Sequence, residues 1–105
     1  MQMEVDVTSI LQKDKNVCFL CGEMAGADPL DKHHVFYGSG KRKLSEKYGL
    51  TVYLHHHECH IFGKESVHQS RQKDLLVKKA AQRRAMAEYG WGVDKFRAMF
   101  GRNYL

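Results

Sequence analysis

The chain has 105 residues, a formal net charge of +5 and a sequence pI near 9.2, so it fits one domain with a modest core to which a structural metal would be a useful addition. No run of about 18 apolar residues is present to span a bilayer, and the opening MQMEVDVTSILQ carries acidic residues in place of an apolar signal core, which together point to a cytosolic protein. The basic balance favours an anionic partner, nucleic acid first.

In chain order, residues 1–8 are expected to be an unspecific tail. Ser9-Ile-Leu-Gln12 has capping-box spacing and predicts a short helix from Ile10 to about Asp14. Asn16 to Gly22 is expected to be a tight turn carrying Cys18 and Cys21, and Glu23 to Pro29 a loop. Lys32 to Tyr37 and Leu50 to Leu54 are rich in β-formers and predict two strands, paired as an antiparallel hairpin with a long basic loop between them. Arg71 to Tyr89 contains neither glycine nor proline and predicts the longest helix, with Leu76, Ala80, Arg83 and Ala87 on one face and Leu75 and Met86 beside it. Gly90-Trp-Gly92 ends it. Asp94 is placed to cap a last helix, Lys95 to Phe100.

The three cysteines are an odd number, and Cys18-Phe-Leu-Cys21 is a pair that brings two thiolates onto one ion. Cys59 is the remaining cysteine, so a tetrahedral site needs a histidine. His56 has the matching two-residue spacer to Cys59, and His55 offers a three-residue one. The expected structural zinc set is Cys18, Cys21, His56 and Cys59. All seven histidines lie between His33 and His68. On a strand, His33 and His34 would face opposite sides, so they cannot do the same job by symmetry. One can ligate a metal while the other takes a proton from water. His60 directly follows the second zinc pair, which pins it against the hairpin that carries His33 and His34.

With Cys18-x-x-Cys21, His33-His34-Val-Phe and His56-His-Glu-Cys59-His60, the chain resembles the HNH nucleases, the ββα-metal (His-Me finger) superfamily, in a zinc-stapled variety. Gly40-Lys-Arg-Lys-Leu-Ser-Glu-Lys-Tyr-Gly49, Ser66-Val-His68 and Phe100-Gly-Arg-Asn-Tyr104 are similar to a phage subgroup of recombination-enhancement, RecA-dependent nucleases. The resemblance implies an α+β fold with a ββα-metal core at residues 16–68, a short N-terminal helix, and helices over 70–105. It implies a metal-dependent DNA endonuclease in phage recombination or DNA processing, working in the cytoplasm of a bacterial host. It makes His34 the general base and His33 and His60 ligands of a catalytic divalent ion, Mg²⁺ or another. His68 is a further catalytic candidate. The family's asparagine would fall near Gly49 or Leu50, and Glu46 or a backbone group is the expected substitute.

Lys41, Arg42, Lys43 and Lys47, between the two strands, are the candidate phosphate contacts. Arg71, Lys73, Lys78, Lys79, Arg83 and Arg84 on the long helix have a solvated face as their plain reading. DNA is the expected partner, and the subgroup adds a recombinase filament. The rival reading is a non-catalytic zinc-stapled DNA-binding module. It has no need of His33, His34 and His60 converging.

Overall fold

The structure, a computed structural model, describes residues 8–105. The expected tail therefore lies outside the described residues except for Thr8. Strand β1 spans Leu30–His34 and strand β2 spans Thr51–His55. They pair antiparallel in a two-stranded sheet, with His33 opposite Val52 and His34 opposite Thr51. Between them the expected loop is an α-helix, α1, Lys41–Tyr48. The sequence signal was present in Lys41 to Tyr48, which holds no glycine or proline. Lysine, arginine, leucine and glutamate dominate the run and are good helix formers. Gly49 closes α1 at φ 72°, and a Cβ there would sit 2.5 Å from the Thr8 carbonyl oxygen. Glycine is therefore required at that position, and a family-type asparagine does not fit it.

After β2 the chain makes a six-residue π-helical turn, His56–Ile61, in which the Phe62 N–H reaches the His57 carbonyl at 2.9 Å. Two α-helices follow, α2 at Arg71–Tyr89 and α3 at Val93–Phe100. Helix α2 has the predicted limits. Ser70 caps it by accepting the Lys73 N–H. Its buried residues are Val77, Ala81, Gln82 and Ala85, whereas Leu76 is half exposed, so the helix is rotated by about one residue from the expected face. Helix α3 begins two residues early. Gly92 is its N-cap, and Asp94 lies in the first turn, where Arg97 donates to it at 3.1 Å.

The expected N-terminal helix does not form. Ser9 Oγ does accept the Leu11 and Gln12 N–H groups, but the chain then runs beside β2. Ile10 N–H donates to the Gly49 carbonyl, Gln12 Oε1 accepts the Tyr53 N–H, and Phe19 N–H donates to the Tyr53 carbonyl. These contacts satisfy the otherwise open edge of β2, a gain that a single isolated helical turn cannot match.

The core joins Val35, Phe36, Leu50, Val52 and Leu54 to Val77, Ala81, Phe96 and Phe100. Phe36 sits 4.8 Å from the Phe100 ring and 5.4 Å from that of Phe96. This packing holds the far end of β1 rigid, directly beyond the two histidines. None of the described helices is long and apolar enough to cross a membrane.

Candidate metal centres

The first centre begins at a backbone turn. The Cys18 N–H donates to the Glu23 carbonyl, the Gly22 N–H returns to the Cys18 carbonyl, and Gly22 adopts φ 79°, which brings Cys18 and Cys21 to one side. Cys59 arrives from the π-helical turn and His55 from the end of β2. One ligand atom from each of Cys18, Cys21, His55 and Cys59 lies within 4.8 Å of the others. His55 Nδ1 is 3.3 Å from Cys21 Sγ, and its Nε2 faces the Met24 carbonyl at 3.0 Å, which fixes the ring with Nδ1 toward the sulfurs.

His55 therefore replaces the expected His56. Equal spacers put equivalent ligands on one ion only where the chain keeps one local conformation. In fact His55 ends an extended strand and His56 opens a helical turn, so the next ring swings away, with Nδ1 2.6 Å from Asp31 Oδ2. The set of three sulfurs and one imidazole suits a tetrahedral zinc ion. Burial pushes the Cys18 thiol up, but backbone groups of Cys21, His55 and Leu20 and the Cys59 thiol outweigh it and bring the pKa down to about 7. Cys59 is pushed up to about 12, first by burial and then by the two neighbouring sulfurs. Three thiols this close resist ionising together, and a divalent cation relieves that conflict.

The second centre lies across β1. His33, His60 and His68 offer ligand nitrogens within 4.8 Å of one another, with ring centroids 4.9 to 5.6 Å apart. His33 is only 4% exposed, and its Nε2 is buried without a hydrogen-bond partner. An orphaned buried ring nitrogen is costly unless something else satisfies it. Burial, then the neighbouring imidazoles of His60, His68 and His34, drive the His33 pKa down to about 3, so the ring stays neutral. His68 is shifted the same way by burial and His60. Neutral imidazoles are the form that binds metal. Three nitrogens favour a borderline transition ion over Mg²⁺, which prefers oxygen.

His34, the next residue of β1, places Nε2 2.8 Å from Glu46 Oε1 of α1. The Arg42 Nε–H approaches its Nδ1 at 3.5 Å. The carboxylate thus selects the tautomer with hydrogen on Nε2, which leaves the Nδ1 lone pair available. Glu46 also bridges to Lys32 Nζ at 2.9 Å, and that hydrogen bond, ahead of the one from His34, outweighs partial burial to hold its carboxyl below the usual range. The four histidines His33, His34, His60 and His68 line one open cavity of about 470 Å³, together with Lys32, Tyr37, Gly38 and Arg42.

Of the four expected phosphate contacts, only Arg42 lines that cavity. Lys43 and Lys47 are exposed on α1, and Lys41 packs toward Gly101 at the end of α3. Lys32, Tyr37 and Asp31 were not picked out from the sequence. Strand alternation could have found Asp31, since it shares a face with His33 two residues later. Comparison with protein-family models, with curated proteins and with solved structures returns no match.

Proposed function

We propose that the protein is a metal-dependent DNA endonuclease of the HNH, ββα-metal type, stapled by a structural zinc. The observation that carries this reading is the single cavity where a three-histidine cluster, His33, His60 and His68, adjoins a fourth histidine held by a carboxylate. A zinc-stapled binding module has no use for that arrangement.

In this reading His33, His60 and His68 hold the divalent ion, which would supply charge neutralisation at the phosphate and at the leaving 3′ oxygen. His34 Nδ1 accepts the proton of the attacking water. Its contact with Arg42 is at the outer limit of a hydrogen bond, so water can replace it. Glu46 keeps Nε2–H in place and stabilises the imidazolium that forms, taking the part assigned to the missing asparagine only in the sense of bracing the site. Arg42 and Lys32 present positive charge to the phosphates at the cavity mouth. Phage origin and a recombinase partner belong to this proposal through the sequence resemblance alone.

The test is cleavage of supercoiled plasmid by zinc-loaded protein, with Mg²⁺, Mn²⁺, Ni²⁺ or no added ion. Cleavage that requires the added ion supports the proposal. No cleavage with any of the ions sinks it.

A further inference from the structure

His60 faces two ways. One side of its ring meets His33 and His68 in the cavity. The other side, Nδ1, lies 2.8 Å from Asp31 Oδ2, and His56 Nδ1 lies 2.6 Å from that same oxygen. Asp31, His56 and His60 thus bring two imidazole nitrogens and one carboxylate oxygen together, all within 4.8 Å. They come from different parts of the fold. Asp31 is on β1, and His56 and His60 are four apart on the π-helical turn. The turn is anchored separately, because Asp28 accepts the His57 and Glu58 N–H groups.

We propose that Asp31, His56 and His60 form a second, surface-facing transition-metal site that competes with the cavity for His60. Two imidazoles and a carboxylate are a donor set for zinc or a similar borderline ion, and a poor one for Mg²⁺. The His56 side chain is 49% exposed, so ion and water reach the site and an open coordination position remains. The present spacings are hydrogen-bond lengths. Metal bonds of about 2.0–2.2 Å spread tetrahedral ligand atoms to roughly 3.3 Å, so the rings must withdraw by about 0.6 Å. The exposed His56 ring can do so.

The competition follows from proton placement. Both Nδ1 atoms now face the Asp31 carboxylate, which accepts and does not donate, so each carries a hydrogen. His60 therefore turns an unprotonated Nε2 toward His33 and His68. An ion at the surface site takes the Nδ1 lone pairs, and each displaced proton moves to Nε2 of the same ring through solvent. His60 then presents N–H to the cavity, which loses one of its three ligands. No net proton is released.

The experiment uses the full chain with its structural zinc loaded. In His68→Ala, which cripples the cavity cluster at an exposed position, added zinc is titrated while histidine ¹⁵N signals report the tautomers. The expected result is one further ion, with His56 and His60 both converted to Nε2–H. Adding His56→Ala should weaken that binding by roughly a hundredfold, since even outer-shell losses cost 10–100-fold. Equal zinc affinity in the single and double variants, or unchanged His56 and His60 tautomers in zinc excess, overturns the proposal.

A second arm rests on the endonuclease reading. Zinc excess should inhibit plasmid cleavage by the unmodified protein and inhibit His56→Ala at least tenfold less. Equal inhibition of the two proteins contradicts the competition. Absence of cleavage without added zinc counts against the endonuclease and leaves the binding result to judge the site.

Discussion

At His33, burial and three neighbouring imidazoles act in the same direction. The folded ring titrates near pH 3, while the unfolded chain titrates near its ordinary value of 6.5. Between those limits the unfolded state holds a proton that the folded state lacks. Stability is therefore greatest above about pH 6.5 and falls as the pH drops toward 3, by up to about 1.4 kcal/mol per pH unit. Asp31 acts in the same direction at lower pH. Hydrogen bonds from His60 and His56 outweigh its partial burial and hold its carboxyl below the usual range, so its contribution is lost on acidification. Urea unfolding of the zinc-loaded protein and of His33→Gln from pH 7 to pH 4 separates the two groups. The variant should show the shallower decline, since it keeps the carboxylates and lacks the buried ring. Parallel curves would mean that His33 is not held neutral by the fold.

Among the elements, those written in local sequence were legible. The glycine- and proline-free run of α2 gave both its ends, and the β-rich segments gave two strands in the right order, although the first is Leu30–His34 in place of the expected Lys32 to Tyr37. The Cys-x-x-Cys turn was legible because one short loop carries both ligands. What was not legible depends on where an element packs. Ser9 begins a cap but the chain serves the edge of β2 instead, and α2 turns Val77 inward in place of Leu76. The choice between His55 and His56 was undecidable from spacing, because it depends on where the strand gives way to the π-helical turn. The resulting prediction is sharp. His55→Ala and Cys59→Ser should lose the zinc and much of the fold, since a structural ion contributes folding free energy on the order of 10 kcal/mol. His56→Ala should keep both. Metal analysis with circular dichroism on the three variants checks this, and zinc loss in His56→Ala alone would reverse the assignment.

On the scale of the whole molecule, the net charge of +5 is unevenly useful. On α2, Lys78 is tied to Asp74 at 2.7 Å and Arg84 to Glu88 at 2.7 Å, while Arg71, Lys79 and Arg83 are exposed; on α1, Arg42 lines the cavity, and Lys43 and Lys47 are exposed on the same helix. The proposed DNA path crosses α1, because that helix brings Arg42 to the cavity mouth. Replacing Arg42, Lys43 and Lys47 by alanine should weaken binding of duplex DNA with little sequence dependence and flatten the log–log salt slope by up to about three units. An unchanged slope would place DNA on another surface. The central claim, that these elements assemble a hydrolytic site around His34, is tested most directly by the single-turnover rate of plasmid cleavage by His34→Ala at saturating divalent ion. The expected rate is lower by roughly a hundredfold or more, with structural zinc and DNA binding retained. Cleavage by that variant at the rate of the unmodified protein would contradict the claim.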